Sequence, residues 1–402
     1  MTRQKICKRM CSTSFCLLLS TALAPIPPAT AQPSSAPQAV QPADRTYFER
    51  LVRKIEPDVV GKPDRLPIYL EFFKREMIND SRLFAIDVKA KAGDDGCIQL
   101  TGFVEFDENR DDLVNFVRVL GFDRLEDHIE VLPSDELGEK RFGFIVASHS
   151  LSYGQPAKKE VVTDCLLGEP VYLLKEAEAG FFLCHSVEGY LGYVHGQDIH
   201  RVNAETFLRY QSGTRVSVLA DHETPDGPLL PVGARLKMLR QDRQQMVVAL
   251  PAGDEAVLPA NLCETVDDRP SPRVERVIEN GHRLLGTEYL WGGKSSAGID
   301  CSGLVQVSFA AEGIHLPRDS NQQVYLGRLT ATRWFRAGMR RGDTLYFLGR
   351  HGKIIHTAIY LGEGKYLESA GPGVRITSFN PADDKFDARR SRHFAFAKRL
   401  LE

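Results

Sequence analysis

A cysteine at position 301 stands where a nucleophile could be held at the start of a helix. It follows Asp300 in the sequence GIDCSGLVQ (residues 298–306), and an apolar run comes after it. Aspartate is a favourable N-cap residue, so Cys301 would lie in the first turn, where unpaired N–H groups and the helix dipole favour a thiolate over a thiol. A small buried cysteine without a chemical role is the alternative.

A nucleophilic cysteine needs a base, and His356 is the best placed histidine of the last domain. It opens the strand-like sequence HTAIYLG (residues 356–362), and the end of a strand is rigid enough to face the start of a helix. An imidazole beside the thiolate would form an ion pair that lowers the cysteine pKa further. His351 lies in a glycine-flanked turn, and we expect it to be solvated.

The sequence GEGK predicts a tight turn that joins HTAIYLG to KYLESA in a hairpin. Glu368 would then lie roughly across from His356 and could accept the proton on the far nitrogen of the ring. An exposed sheet residue is an equally good interpretation of Glu368 from pairing geometry alone. A charged partner is expected to raise the pKa of His356 and to shift the pH profile.

The composition of the chain argues against several classes of partner. Its 402 residues carry a formal net charge of −2, and 43% of them are hydrophobic. This balance gives no electrostatic reason to expect nucleic acid or an anionic membrane as a partner. After the N-terminal segment, no stretch of the sequence is long and apolar enough for a transmembrane helix, and no His/Cys cluster has zinc spacing.

Residues 1–31 have the pattern of a secretory signal peptide. Basic residues precede an apolar run at residues 15–24, and the sequence ATA at 29–31 is a small-x-small cleavage pattern. An uncleaved membrane anchor is the alternative, and we expect no lipoprotein. The sequence therefore predicts an exported protein, periplasmic or extracellular.

Cleavage there would remove three of the eight cysteines and leave five, an odd number in a compartment that permits disulfides. Cys165 and Cys184 fall on predicted strands of one small domain and are the pair to consider if a disulfide forms. Two buried free thiols are an alternative at least as good. Cys301 is the natural cysteine to stay unpaired.

The first part of the mature chain combines a linker with an α+β module. Residues 32–44 are rich in Pro, Ala, Ser and Gln, as disordered linkers are. Residues 45–138 contain amphipathic helical stretches and a strand–strand–helix–strand unit over 84–132 that loosely resembles BON-type modules. Either a binding or a bracing role fits this module, and the sequence does not identify a ligand for it.

Two small β-domains and a larger domain follow. Residues 139–205 alternate short apolar runs with Gly and Pro and resemble bacterial SH3-like barrels, and residues 206–266 look like a diverged second copy. Residues 267–402 start with a Pro-rich charged linker (267–273) and continue with helices and then antiparallel strands, which predicts an α+β domain.

Four sequence blocks of the last domain resemble the NlpC-type cysteine peptidases of bacterial cell walls. They are YLWGGKSSAGIDCSGLVQ, LPRDSNQQ, RRGDTLYF and HTAIYLGEGKYLESAG, in that family's order and spacing over about residues 275–400. The resemblance implies a papain-like domain, in which the cysteine helix packs on the sheet that carries the histidine. The expected fold class is α+β, with this domain preceded by two SH3-like barrels and the N-terminal α+β module.

Two SH3-like domains before the catalytic domain are the arrangement of the γ-D-glutamyl-L-diamino acid endopeptidases. These enzymes cut peptidoglycan-derived peptides whose N-terminal L-Ala is free. By this resemblance Cys301 is the nucleophile and His356 the general base, and Glu368 occupies a third position where the family usually has histidine. The resemblance implies no metal or organic cofactor, and it leaves the preferred diamino acid and the oligomeric state open.

The resemblance also implies a substrate pocket. The positions that match its lining are Trp291, Asp300, Ser302, Asp319 and Ser320, and the matches in the first SH3-like domain are Tyr190 or Tyr193 and Glu160. Asp319 could hold the ammonium group of the substrate, or it could form a salt bridge with Arg318 or another surface cation. A tyrosine in the sequence GYLGYV (residues 189–194) is, however, more often a core or strand-packing residue.

Two other functions fit the same sequence. An amidase or transpeptidase that acts on intact, cross-linked peptidoglycan would use the same framework. A catalytically silent wall-binding protein would also keep the fold, and Glu368 would then mark the loss of activity.

Overall fold

A computed structural model describes residues 42–225, 227–265 and 273–402, the side chains of residues 42–44 excepted. The predicted signal peptide, most of the first linker and nearly all of the linker at 267–273 lie outside the described residues. The described chain is a mixed α and β structure, with an α+β module, two β-domains and a helix-and-sheet domain in that order.

The N-terminal module has the predicted strand–strand–helix–strand order. Its elements are α1 (Pro42–Val52), α2 (Leu66–Met77), β1 (Ile86–Ala92), β2 (Ile98–Val104), α3 (Asp107–Val119) and β3 (Leu125–Val131). The strands β1 and β2 are antiparallel, and α3 carries the chain over to β3, which is parallel to β2. Aromatic side chains of the three helices, among them Phe48, Phe73 and Phe116, fill the core. Helix α1 starts at Pro42, so residues 42–44 are helical and not part of the predicted linker.

The first β-domain is a seven-stranded sheet. Its strands are β4 (Phe142–Ile145), β5 (His149–Gln155), β6 (Lys159–Leu166), β7 (Pro170–Glu176), β8 (Phe181–His185), β9 (Leu191–His195) and β10 (Ile199–Val202), in the order β10-β4-β7-β8-β9-β5-β6. Cys165 and Cys184 lie in its core as free thiols, so the structure has the alternative without a disulfide.

The second β-domain is a five-stranded sheet that follows α4 (Ala204–Gln211). Its strands are β11 (Arg215–Val218), β12 (Arg235–Gln241), β13 (Gln245–Ala249), β14 (Glu255–Pro259) and β15 (Cys263–Thr265), in the order β14-β13-β12-β11-β15. The SH3-like assignment of both β-domains stays a prediction.

The last domain packs helices on an antiparallel sheet. Its elements are α5 (Val274–His282), β16 (Lys294–Ser295), β17 (Gly298–Ile299), α6 (Cys301–Ala310), α7 (Ser320–Gln323), β18 (Arg328–Thr332), β19 (Thr344–Leu348), β20 (Ile354–Gly362), β21 (Lys365–Ala370), β22 (Gly373–Ser378), α8 (Ala388–His393) and β23 (Phe394–Arg399). The sheet order is β18-β23-β19-β20-β21-β22. Helix α6 is buried along nearly its whole length and contacts α5, β20 and β21, which fixes where its first residue lies. Throughout the described ranges, the helices are too short or too polar to cross a membrane.

A buried lysine joins the last domain to the first β-domain. The Lys294 ammonium lies 3.0 and 3.1 Å from the two carboxylate oxygens of Glu169 and 3.5 Å from Glu188 Oε1. Burial opposes the charge on Lys294, but the two carboxylates raise its pKa and keep it protonated. The loop that leads to Cys301 is therefore anchored on the neighbouring domain by a buried ion cluster.

Replacing Lys294 by Met removes the cation and leaves two buried carboxylates without it. We expect a loss of about 3–5 kcal/mol in the free energy of unfolding, since the remaining charges are desolvated and uncompensated. Urea denaturation followed by circular dichroism measures this change. Lys353 is exposed in the same domain, and its replacement by Met is the matched control, with an expected change within about 0.5 kcal/mol. Equal stability of the two variants would contradict the anchoring role.

Candidate active site

Asp300 fixes the start of the helix that carries Cys301. Its Oδ1 accepts a hydrogen bond from Gly303 N at 2.7 Å, which makes it the N-cap, and Cys301 is the first helical residue. Its Oδ2 accepts from Gly292 N at 2.9 Å, so the same carboxylate also holds the preceding loop. The predicted position of Cys301 in the first turn of a helix is confirmed.

Arg318 forms a buried ion pair with Asp300, whose Oδ1 also accepts a hydrogen bond from Ser302 Oγ at 3.1 Å. Its side chain is 1% exposed, and its guanidinium donates to the two oxygens of Asp300 at 2.6 and 3.0 Å. The same guanidinium donates to Ser302 Oγ at 2.8 Å and to Thr163 Oγ1 on β6 at 3.0 Å. Asp300 and Ser302 are thus tied into a buried network that extends into the first β-domain.

His356 and Glu368 form a direct contact on adjacent strands of the sheet. The predicted hairpin of β20 and β21 is present, and His356 Nε2 lies 2.7 Å from Glu368 Oε2. Glu368 is fully buried, which excludes the interpretation as an exposed sheet residue. It also accepts hydrogen bonds from Thr377 Oγ1 at 2.8 Å and from the guanidiniums of Arg375 and Arg390, each at 3.0 Å.

The charge balance around His356 differs from the sequence expectation. Burial lowers the pKa of His356, and the positive charges of Arg390 and Arg375 lower it further, against the contribution of Glu368. The expected increase of the histidine pKa is therefore wrong, because desolvation and two arginines outweigh one carboxylate. Burial opposes the charge on Glu368 as well, but its contacts with His356 and Arg390 lower its pKa to about 2. This balance favours a neutral imidazole that is hydrogen-bonded to a carboxylate.

The surroundings of Cys301 also favour the neutral form of its thiol. Burial and the adjacent negative charge of Asp300 raise its pKa to about 12, although the backbone N–H groups of Thr357 and Ser302 act in the opposite direction. Both pKa directions therefore oppose the expected thiolate–imidazolium ion pair, because the helix terminus does not compensate for desolvation. Thr357 directly follows His356 on β20, so the interaction of its backbone N–H with Cys301 brings the thiol to the segment of the strand that carries the imidazole.

A second polar cluster surrounds Asp319, which precedes α7. Tyr190 donates its hydroxyl to Asp319 Oδ2 at 3.1 Å. Arg82, in the loop between α2 and β1, donates to the same oxygen and to Asn321 Oδ1 at 3.1 Å. Asp319 is thus paired with a cation, which agrees with the salt-bridge alternative from the sequence. The cation is Arg82 of the N-terminal module, since the guanidinium of Arg318 is paired with Asp300.

Trp291 and Glu160 lie on exposed surface at the contact between the last domain and the first β-domain. Trp291 is 67% exposed. The next residue, Gly292, packs so closely on Val161 that a Cβ there would lie 2.4 Å from a methyl group of the valine. Glu160, the residue before Val161, is exposed at the end of the β5–β6 hairpin. The contact between Gly292 and Val161 therefore brings Trp291 and Glu160 to the same edge of the interface between these two domains.

Tyr193 and Ser320 differ in their surroundings. Tyr193 is half-buried and packs with Ala85 and Phe103 at the junction of the N-terminal module and the first β-domain. Ser320 is buried as the first residue of α7, directly after Asp319. Of the two tyrosines considered, it is Tyr190 whose hydroxyl contacts Asp319.

The sequence analysis did not identify several arginines of the site. Arg318 lies in the block LPRDSNQQ but was considered there only as a partner for Asp319. Arg375 and Arg390 carry no local signal, since only the folded sheet and α8 bring them to Glu368. Arg82 is 237 residues from Asp319. Across residues 42–225, 227–265 and 273–402, no group of three or more His, Cys, Asp or Glu side chains could hold a metal ion.

The comparisons with known proteins identify the domain that carries this site. Residues 286–388 match the family model described as the NlpC/P60 family. The chain is 28% identical over 238 residues to the γ-D-glutamyl-L-lysine dipeptidyl-peptidase of Bacillus cereus, which covers 54% of this chain and 70% of that protein. A protein of the same name from Bacillus subtilis is 39% identical over 104 residues, 25% of this chain and 34% of that protein.

Two further similarities agree with this assignment. The peptidoglycan endopeptidase RipA of Mycobacterium tuberculosis is 39% identical over 115 residues, 25% of this chain and 23% of that protein. The crystal structure of an NlpC/P60 family protein from Bacillus cereus superposes with a TM-score of 0.58 at 21% identity, over 65% of this chain and all of that one, and so shares the fold. The chain therefore contains an NlpC/P60 domain, and its relatives include peptidoglycan endopeptidases.

The balance of charges at His356 can be tested by removing one arginine. We expect Arg390→Gln to raise the pKa of His356, because the variant loses a positive charge that disfavours the imidazolium while Glu368 stays in place. An NMR titration of the His356 ring protons measures the shift. Arg392→Gln on the same helix is the control, since Arg392 is exposed. A pKa that falls or stays unchanged in Arg390→Gln would refute this account of the site.

Proposed function

We propose that the chain is a cysteine peptidase with a papain-like NlpC/P60 domain. In this proposal it hydrolyses the γ-D-glutamyl-diamino acid bond of peptidoglycan-derived peptides that have a free N-terminal L-Ala. The observation that carries the proposal is the buried His356–Glu368 contact of 2.7 Å on β20 and β21, the two strands against which the helix that starts at Cys301 packs. The similarity to two γ-D-glutamyl-L-lysine dipeptidyl-peptidases supports the choice of bond. Action on the cell wall would require the export that residues 1–31 predict.

The first step would transfer a proton from sulfur to nitrogen as the new bond forms. When neutral His356 keeps its proton on Nε2 and donates a hydrogen bond to Glu368, Nδ1 has a free lone pair and can act as the base. It takes the thiol proton while Cys301 sulfur attacks the γ-carbonyl carbon of D-Glu. Because both groups are neutral at rest, charges appear only as the reaction proceeds, and Glu368 then stabilises the imidazolium.

The second half of the reaction would use the same groups in reverse. The N–H of Cys301, at the start of α6, stabilises the oxyanion of the tetrahedral intermediate. The imidazolium gives its proton to the leaving amine of the diamino acid, which breaks the amide bond and leaves a thioester on Cys301. A water molecule that loses its proton to the same imidazole then hydrolyses the thioester.

Asp319 and Tyr190 would recognise the free amine of the substrate. A carboxylate that accepts a hydroxyl hydrogen bond at 3.1 Å and is already paired with a guanidinium is suited to a cation. Tyr190 belongs to the first β-domain. This contribution of a second domain to the pocket supports the proposed preference for peptides with a free N-terminal amine. Trp291 would supply an apolar wall at the edge of the site, and Glu160 a further carboxylate.

A second candidate is an enzyme that acts on intact, cross-linked peptidoglycan, in which the N-terminus of the peptide is acylated. The pairing of Asp319 with Arg82 favours this candidate, since a substrate ammonium would have to displace the guanidinium, whereas an acylated peptide leaves that pair intact. The two candidates differ in whether acylation of the substrate amine abolishes turnover.

Replacing Cys301 by Ala should abolish cleavage of L-Ala-γ-D-Glu-L-Lys, because the attacking sulfur is lost. Glu368→Gln should lower kcat by roughly 10²–10⁴-fold, since the imidazolium loses its charged partner. Release of free lysine, followed by mass spectrometry, measures both effects. Cys97→Ala in the N-terminal module is the control and should keep full activity. Cleavage by the Cys301→Ala variant would end the proposal, and a wild-type chain without turnover would favour the wall-binding alternative.

Acetylation of the substrate amine should reduce kcat/KM strongly, because a neutral amide cannot pair with Asp319. The comparison of L-Ala-γ-D-Glu-L-Lys with its N-acetyl derivative measures this preference. Asp319→Asn should remove most of the difference between the two peptides by weakening binding of the free amine. Equal turnover of both peptides by the wild-type chain would support the enzyme of intact peptidoglycan.

A further inference from the structure

We infer that Arg82 of the N-terminal module is a built-in competitor of the substrate's terminal amine at Asp319. The module thereby sets the affinity of the site for peptides with a free amine. This inference rests on the proposed function, because it takes Asp319 as the carboxylate that holds the amine.

The guanidinium of Arg82 lies where an ammonium group would have to bind. It donates to Asp319 Oδ2, the same oxygen that accepts the hydroxyl hydrogen bond of Tyr190 at 3.1 Å. It also donates to Asn321 Oδ1 at 3.1 Å. A substrate ammonium placed on this carboxylate would therefore meet a positive charge at contact distance, and like charges repel.

The loop that presents Arg82 is held on both neighbouring domains. Leu191 N, at the start of β9, donates to the backbone oxygen of Arg82 at 2.7 Å. Gln322 Nε2 on α7 donates to Asp80 Oδ2 at 3.3 Å. Backbone and side-chain contacts thus fix the loop between the first β-domain and the last domain, so the approach of Arg82 to Asp319 is a built feature of the domain junction.

Asp80 gives Arg82 a second carboxylate partner. Arg82 Nε and Nη2 lie 2.7 and 2.6 Å from the two oxygens of Asp80, a bidentate pair that leaves Nη1 directed at Asp319. Two carboxylates share one guanidinium here. When a substrate ammonium takes over Asp319, Arg82 therefore keeps its pair with Asp80, and neither cation is left without a partner.

The cluster is accessible enough for such an exchange. The side chain of Arg82 is 32% exposed and that of Asp319 is 26% exposed. A peptide with a free amine carries the cation needed to replace Arg82, whereas an acylated peptide does not. Arg82 should therefore raise KM for peptides with a free amine and leave kcat unchanged, since it touches neither Cys301 nor His356.

Two substitutions in the full-length chain test the competition from opposite sides. Arg82→Ala should lower KM for L-Ala-γ-D-Glu-L-Lys by about fivefold or more at unchanged kcat, because the competing cation is gone. Asp80→Asn should raise KM for the same peptide, because Arg82 then has Asp319 as its remaining carboxylate partner. Neither change should alter the kinetics with the N-acetyl peptide. Arg75→Ala is the matched control, an exposed arginine of the same module.

The outcomes separate this inference from the proposed function. An unchanged or higher KM in Arg82→Ala would overturn the inference while the peptidase activity stands. A lower kcat/KM of Arg82→Ala for the N-acetyl peptide would also overturn it, and would make Arg82 a determinant for acylated substrates. If the wild-type chain does not cleave the peptide, calorimetry with the dipeptide L-Ala-γ-D-Glu on Cys301→Ala and Cys301→Ala/Arg82→Ala decides. Tighter binding by the double variant supports competition, and equal binding refutes it.

Discussion

The buried ion pair of Asp300 and Arg318 is the interaction on which the site depends. The Asp300 carboxylate caps α6 and accepts a hydrogen bond from Gly292 N in the preceding loop. It also accepts hydrogen bonds from both Nη atoms of Arg318, whose Nε donates to Thr163 of the first β-domain. A buried ion pair gains little net stability, because desolvation offsets its Coulomb energy. The effect of this pair is to fix the position of Cys301, since one set of hydrogen bonds joins the start of α6, the loop before it and strand β6.

Burial also decides the charge state of the groups that would react. Burial shifts both Cys301 and His356 toward their neutral forms, and the imidazole lies next to Glu368, whose pKa is lowered to about 2. With a neutral thiol and a neutral imidazole, the reaction would not have to disrupt a thiolate–imidazolium pair. The fixed charge of the site, Glu368, interacts most strongly when the imidazole gains a proton, and an interaction that strengthens in the transition state is the kind that increases kcat.

The sequence identified the parts of the site that are encoded locally. The N-cap at Asp300, the helix start at Cys301 and the hairpin that brings Glu368 to His356 each depend on residues within a short segment. Arginines from distant segments could not be predicted in this way, because only the folded chain brings Arg82 to Asp319 or Arg390 to Glu368. The two pKa directions were wrong for a related reason. Helix dipoles and neighbouring charges are visible in a sequence, whereas the extent of desolvation depends on tertiary packing.

Chemistry and recognition are therefore distributed differently over the chain. Cys301, His356 and Glu368 all lie within residues 286–388, so one domain contains every group proposed to react. The cluster around Asp319 combines that domain with Tyr190 of the first β-domain and Arg82 of the N-terminal module. A change in how the N-terminal module, the first β-domain and the last domain pack would leave the reacting groups in place. It would alter the cluster around Asp319, where the amine is proposed to bind. Under the proposed function, substrate preference is a property of the domain junction, and the buried Lys294 cluster and the Arg318 network are contacts that hold this junction together.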